Sequence, residues 1–217
     1  MKKKNYKSLY ASLFMLGAFV LWTVAVRFVD VRAIGPSGSS VGFAALNGLI
    51  HKITGVNMLL YHITDWLGLV PIFVAMSFAC LGLVQWIKRK KLRQVDYSIF
   101  VLGGFYIAVM AVYLLFETVT VNYRPVLIGG ILETSYPSST TLLVMCVMPT
   151  AIMQFNSRIK NAIIKKSVSI VIMAFVIFMV IGRLASGVHW FSDIVGGAML
   201  SAGLVEMYRH IVLLIKQ

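Results

Sequence analysis

The sequence predicts an all-α membrane protein, a bundle of six transmembrane helices with a short interfacial helix after the first span. Of its 217 residues, 59% are hydrophobic and only 12% are charged, whereas a soluble domain is about 45–50% apolar and about 25% charged. The mean hydropathy is +0.88. Apolar runs close to the roughly 20 residues that cross a bilayer are predicted to span it at residues 9–29, 66–87, 97–116, 140–156, 167–185 and 191–214.

The first run follows four lysines, as the apolar part of a signal peptide would. It is too long for that role and no small-residue cleavage site follows it, so we expect a membrane anchor. Segment 30–65 starts with a Gly- and Ser-rich loop and continues with apolar residues at helical spacing, which predicts an amphipathic helix at the interface. This segment is either a lintel for lipid entry or a simple connection. Residues 1–217 thus form a single membrane domain, with the core at 66–214.

The net charge of +13 is explained by topology. With six spans, the segments before span one, between spans two and three, between spans four and five, and at the end of the chain lie on one side. They hold 15 of the 20 basic residues, so this side and both termini are predicted to be cytoplasmic. No basic face is interleaved with stacking aromatics, which argues against nucleic acid as a partner. The 15 residues are Lys2, Lys3, Lys4, Lys7, Lys88, Arg89, Lys90, Lys91, Arg93, Arg158, Lys160, Lys165, Lys166, Arg209 and Lys216.

Cysteine and histidine usage predicts neither a disulfide framework nor a metal site. Cys80 and Cys146 both lie inside apolar runs, away from other ligand-type residues. His51 and His62 lie in the outer segment without a cysteine or acidic cluster nearby. We therefore expect no cofactor.

Three short polar segments meet the outer face of the predicted bundle. The first ends in Arg124-Pro125, the second is the hydroxyl-rich segment 135–141, and the third runs from Gly182-Arg183 to His189 and Asp193. Arginine offers a planar fork of donors that matches phosphate oxygens, and a helix N-terminus suits an anion. His189 and Asp193 are four residues apart, so they share one face of a helix. A carboxylate that fixes the tautomer of the imidazole leaves its other nitrogen free as a nucleophile.

This arrangement resembles the type-2 phosphatidic acid phosphatase superfamily, including its bacterial six-span membrane members. The family pattern is Lys-x6-Arg-Pro, then Pro-Ser-Gly-His, then Ser-Arg-x5-His-x3-Asp. Arg124-Pro125 matches the end of the first motif and Pro137-Ser138 the start of the second. Arg183, His189 and Asp193 match the third motif with the same spacing, with Gly182 in place of serine. The resemblance covers roughly residues 66–214.

The resemblance implies roles for each matched residue. His189 would attack phosphorus and form a phosphohistidine, and Asp193 would orient it. Arg124 and Arg183 would hold the equatorial phosphate oxygens. The helix start at Ser138, Ser139 and Thr140 would complete the phosphate-binding cradle. The substrate would be a lipid phosphate in the plasma membrane, at a site that faces outward.

Two positions depart from the family pattern. The lysine of the first motif falls on Glu117, and the histidine of the second motif falls on Thr140. In the family that histidine protonates the leaving oxygen, and general acid help of this kind contributes about 10²–10⁴-fold. Glu117 could pair with Arg124 or Arg183 and weaken phosphate binding, or it could position a water molecule.

These departures leave three hypotheses. A lipid diphosphate such as undecaprenyl diphosphate has a good leaving group, so a phosphatase acting on it needs the missing acid less than one acting on phosphatidic acid. Alternatively, hydrolysis is lost and the protein binds lipid phosphate or a partner protein. A third hypothesis is a lipid phosphotransferase that uses the same phosphohistidine. The sequence sets neither the lipid nor the oligomeric state.

Overall fold

The computed structural model describes residues 6–215, and its regular elements are helices. Six helical stretches are long and apolar enough to cross a membrane, so the predicted six-span helical bundle is confirmed. Lys2, Lys3, Lys4 and Lys216 lie outside the described residues. The α-helices are α1 (Lys7–Phe28), α2 (Ala44–Thr54), α3 (Met58–Leu67), α4 (Leu69–Arg89), α5 (Tyr97–Thr118), α6 (Ser139–Arg158), α7 (Ala162–Ala185) and α8 (Phe191–Ile215).

The second span differs most from its predicted bounds. Helices α3 and α4 meet at Gly68 and together form one span of 32 residues, Met58–Arg89, whereas the apolar run predicted a start at residue 66. The early turns carry polar side chains that the bundle accommodates. Thr64 is fully buried and its hydroxyl donates to the carbonyl of Leu60 at 2.9 Å. The extra turns bring α3 against α7.

The fourth span, predicted as the shortest, is the central helix of the bundle. Helix α6 packs against α4, α5, α7 and α8. Half of its most apolar window is buried and the mean hydropathy of that window is 1.2, the lowest among the six spans. A helix that faces protein rather than lipid can carry hydroxyls and amides that bond to its neighbours. The Thr150 hydroxyl, for example, lies 3.1 Å from the hydroxyl of Tyr106 on α5.

Helices α1 and α8 form the most extensive helix pair, and small residues allow their close approach. The Ser12 hydroxyl donates to the carbonyl of Gly203 at 2.8 Å. A Cβ on Gly203 would lie 2.7 Å from the side chain of Leu16. Small residues at such contacts are typical of helix packing in membranes. Helix α1 is therefore part of the bundle and does not stand apart as a peripheral anchor.

The outer segment contains the predicted interfacial helix, α2. Its exposed residues include the apolar Leu49 and Ile53, while Asn47 is fully buried against the start of α8. The Asn47 amide donates to the hydroxyl of Ser192 at 2.9 Å, and its carbonyl oxygen accepts from the Ser192 amide at 3.0 Å. The segment therefore packs directly onto the outer end of the core.

The opposite end of the bundle gathers the basic segments. Asp96 accepts from Arg89 at 3.2 Å and lies 3.8 Å from Arg158, so two of the predicted cytoplasmic segments meet there. The rings of Tyr6 and His210 lie 6.3 Å apart, which brings the start and end of the described chain to the same end. The orientation of this end in the cell stays a prediction.

Candidate functional site

A loop over residues 119–138 carries Arg124 to the outer end of the bundle and turns its side chain inward. The loop is folded back on itself: the amide of Arg124 donates to the carbonyl of Glu133 at 2.9 Å, and the amide of Ser135 donates to that of Asn122 at 3.0 Å. The Arg124 side chain is only 11% exposed. The loop thereby holds a cation over the ends of α7 and α8.

His189 lies between the two arginines that the sequence singled out. Its Nε2 is 3.3 Å from Nη1 of Arg124 and 3.3 Å from Nη2 of Arg183. A guanidinium can only donate, so Nε2 accepts and is assigned no proton. Burial lowers the pKa of His189 well below its usual range, and the charges of Arg124 and Arg183 lower it further. The imidazole is therefore neutral, with its Nε2 lone pair facing two guanidinium groups.

Asp193 faces the other nitrogen of this imidazole. Its Oδ2 lies 3.7 Å from Nδ1 of His189 and accepts from the backbone amide of Trp190 at 2.9 Å. Its Oδ1 accepts from the side chain of Asn122 at 3.3 Å. A distance of 3.7 Å is longer than a hydrogen bond, and catalytic hydrogen bonds are often long before substrate binds. Asp193 thus lies in the first turn of α8 and faces the nucleophile candidate.

Arg183 is nearly inaccessible and is held from the side of α3. Its Nη1 lies 3.6 Å from Oδ1 of Asp65, and its guanidinium carbon is 5.0 Å from the centre of the Tyr61 ring. The departure at Gly182 has a steric reason, because a Cβ there would lie 2.8 Å from the Thr64 methyl group. The glycine lets α3 approach closely enough to reach Arg183.

The second predicted motif divides between three roles. Ser138 is the N-cap of α6, and its hydroxyl accepts from the amide of Thr141 at 3.4 Å. The amide of Ser138 donates to the carbonyl of Asp193 at 3.1 Å. Ser139 lines the cavity beside His189, whereas Thr140 lines only an adjoining apolar groove. Among these three residues, Ser139 is therefore the one positioned to meet an anion in the cavity, and their phosphate-binding role stays a prediction.

The cavity next to His189 is small, about 20 Å³, and its wall includes Glu117, Arg124 and Ser139. Its remaining wall includes the aromatic residues Tyr113, Phe116 and Tyr136. Within residues 6–215, the ion pairs of the two arginines are made with other carboxylates. Pairing of Glu117 with either arginine, one of the two alternatives from the sequence, is absent there. Glu117 instead lies in the cavity wall without such a partner.

An apolar groove adjoins this cavity. It has a volume of about 860 Å³ between α4, α5 and α6, and its lining includes Asp65 and Thr140. Three residues line both the groove and the cavity: Tyr113, Ser139 and Leu142. An apolar chain in the groove would therefore end beside the cavity.

Sequence reasoning assigned no site role to three residues that the structure brings to the site. Asn122 holds Asp193, and the carboxylates of Asp65 and Glu133 pair with the arginines. An acid within an apolar helix marks a functional position, so Asp65 carried a usable signal. Glu133 lies in an irregular loop, and no local pattern pointed to its partner.

Comparison with known proteins agrees with this geometry. Residues 117–214 match the family model of the PAP2 superfamily, and the resemblance predicted from the three motifs is thereby confirmed. This stretch contains Arg124, Arg183, His189 and Asp193. No curated protein matches the sequence significantly.

A solved structure has the same fold. It is described as the crystal structure of the first transmembrane PAP2 type phosphatidylglycerolphosphate phosphatase from Bacillus subtilis. The TM-score is 0.65 at 18% sequence identity, and the match covers 96% of this chain and 98% of that chain. The likeness therefore includes α1 and the outer segment as well as the region of the motifs.

Proposed function

We propose that this protein is a membrane lipid phosphatase that hydrolyses a lipid diphosphate through a phosphohistidine on His189. The family match supports a lipid phosphatase in general. The observation that carries the finer proposal is the position of Nε2 of His189, 3.3 Å from a guanidinium nitrogen of both Arg124 and Arg183. A nucleophile between two fixed phosphate-binding groups is preorganised for attack on phosphorus.

In the first step the two guanidiniums hold the equatorial oxygens of the terminal phosphate. Nε2 of His189 forms a bond to phosphorus while the bond from phosphorus to the bridging oxygen breaks, and its electron pair leaves with that oxygen. The ring then carries a positive charge and still holds its proton on Nδ1. The carboxylate of Asp193, 3.7 Å away, stabilises that charge.

The position of Thr140 favours a leaving group that needs no proton. It occupies the family's general-acid position and lines the apolar groove, and a threonine hydroxyl is not a useful acid at neutral pH. A lipid monophosphate leaves as a stabilised anion, whereas phosphatidic acid would release an alkoxide. The proposal therefore favours a polyprenyl diphosphate of the undecaprenyl type.

In the second step, water attacks the phosphohistidine. The oxygen of water bonds to phosphorus, the bond to Nε2 breaks, and its electron pair returns to the ring. The proton lost by water passes to solvent or to Glu117, a carboxylate in the cavity wall. Inorganic phosphate is then released on the side that the basic segments predict to be extracellular.

Glu117 also supports a second candidate function. A carboxylate in the cavity wall beside Arg124 repels a phosphate, which favours a catalytically impaired relative that binds lipid phosphate or a partner protein. A phosphotransferase would share the first step and replace water by another acceptor. Turnover measurements separate these functions.

The test is phosphate release by the protein purified in detergent, with undecaprenyl diphosphate and phosphatidic acid as substrates. We expect release from the diphosphate to exceed release from phosphatidic acid, and His189→Ala to lose at least about 10³-fold. His62→Ala, exposed on α3, serves as the matched control and should retain activity. Release no greater than that of His189→Ala from either lipid would refute the phosphatase proposal.

A further inference from the structure

Each arginine of the site already has a carboxylate partner. The Nε of Arg124 lies 2.9 Å from Oε2 of Glu133, and Nη1 of Arg183 lies 3.6 Å from Oδ1 of Asp65. These acids come from unrelated parts of the chain, the loop 119–138 and helix α3, and neither belongs to the three motifs. The two arginine–carboxylate pairs together carry no net charge, although the site is built to receive an anion.

The two partners of each pair differ sharply in exposure. The side chains of Arg183 and Arg124 are 2% and 11% exposed, whereas those of Asp65 and Glu133 are 56% and 41% exposed. A buried cation is costly without a counter-charge. A half-exposed carboxylate, however, gains less from such a pair than the buried cation does, and it has room to turn away. The arginines are therefore fixed and the carboxylates are replaceable.

Both guanidiniums divide their donors in the same way. One part of each faces its carboxylate and another nitrogen faces Nε2 of His189 at 3.3 Å. A phosphate whose phosphorus approaches Nε2 must accept hydrogen bonds from the guanidinium donors beside it. It would then share each guanidinium with a carboxylate of the same sign, and the repulsion is relieved when the carboxylate moves away.

We propose that Asp65 and Glu133 are positioning residues, the resident counter-ions of Arg183 and Arg124, and that a lipid phosphate binds by displacing them. Their return to the arginines then favours release of inorganic phosphate. The inference rests on the proposed function, since it concerns the same site and the same substrate class. Asp65 also lines the groove, so it is the carboxylate that a phosphate arriving from the groove meets.

The experiment measures inorganic phosphate binding rather than turnover. The protein in detergent is titrated with inorganic phosphate and the shift of its unfolding temperature gives an apparent Kd. Asp65→Asn and Glu133→Gln each remove a competing charge, so each should lower the Kd about fivefold, the upper range for a half-exposed ion pair. The decrease in Kd should be smaller at high salt. The charge-retaining Asp65→Glu and Glu133→Asp should bind phosphate nearly as the original protein does.

The matched control is Glu206→Gln, which removes a carboxylate from an ion pair with Arg209 at the opposite end of the bundle, 3.4 Å between the charged atoms. Its Kd should not change. A Kd that stays the same or rises in both neutral variants would overturn the proposal, even if their unfolding temperatures fall. Glu133 lies in a partly exposed loop, so Glu133→Gln decides the question if Asp65→Asn does not fold.

The outcome is separable from that of the proposed function. If the Kd falls but no lipid is hydrolysed, the counter-ion proposal stands and the phosphatase proposal fails. If lipid is hydrolysed and the Kd does not fall, the reverse holds.

Discussion

Gly187, two residues before His189, offers a sharp test of how the outer segment supports the site. Its φ is +68°, and a Cβ there would lie 1.8 Å from the backbone carbonyl oxygen of Gly55. The approach is this close because two hydrogen bonds join the segments. Nε2 of His51 donates to the carbonyl of Gly187 at 3.1 Å, and the backbone amide of Asn57 donates to the carbonyl of Ser186 at 3.0 Å. Gly187→Ala therefore forces the two backbones apart.

The magnitude follows from these contacts. A left-handed conformation costs a residue with a Cβ about 1–2 kcal/mol. Relief of the clash requires a displacement of more than about 1 Å, which breaks hydrogen bonds worth about 0.5–1.5 kcal/mol each. We expect Gly187→Ala to reduce the free energy of unfolding by about 3 kcal/mol. A shift of about 1 Å at His189 should lower kcat/KM about 10²-fold.

The assays are thermal unfolding in detergent and kcat/KM with a lipid diphosphate. Gly129→Ala is the matched control, because Gly129 also has a positive φ, +58°, but a Cβ there would meet nothing within 4 Å. It should lose about 1 kcal/mol through strain alone and keep its activity. If Gly187→Ala behaves like Gly129→Ala in both assays, the outer segment does not hold the loop that carries His189.

Two further predictions concern the chemistry of the site. Burial and the charges of Arg124 and Arg183 lower the pKa of His189, so the imidazole stays neutral as the solution is acidified. The acid limb of the pH profile of kcat/KM should therefore have its midpoint below pH 6.5. A midpoint at or above pH 6.5 would contradict this. Thr140→His restores the family's acid, so it should raise phosphatidic acid hydrolysis, by up to about 10²-fold, more than lipid diphosphate hydrolysis. Equal gains on the two lipids would contradict the leaving-group argument.

Hydropathy predicted the number of spans but misplaced the start of the second one. The polar residues of α3, Thr64 and Asp65, interrupt the apolar run, so residue 66 was the expected start and Met58 is the observed one. The bundle accepts them because Thr64 is buried with its hydroxyl bonded to the helix backbone and Asp65 pairs with Arg183. A hydropathy scale assigns each side chain a fixed free energy of transfer into lipid, so it takes no account of such hydrogen-bond and ion-pair partners.

For the site, the spacing of the third motif predicted the residues that meet. Arg183, His189 and Asp193 lie at one end of α7 and α8, and Arg124 comes to them from the loop before α6. Spacing could not predict which nitrogen of the imidazole faces the arginines, nor that Asn122 would hold Asp193. Those details depend on loop conformation, which has no period that a sequence reveals.

The sequence by itself determined the membrane environment, the number of crossings and the end of the bundle at which the polar motifs meet. Hydropathy depends on local sequence, and the number of spans before a loop fixes the side of the membrane on which that loop lies. Only the tertiary structure decided the partners of the charges. Glu117 faces the cavity, while Glu133 and Asp65, from distant segments, pair with the arginines. The energy of an ion pair or a hydrogen bond depends on distance in space. Thr64 and Arg183, 119 positions apart in the sequence, become neighbours only when the helices pack.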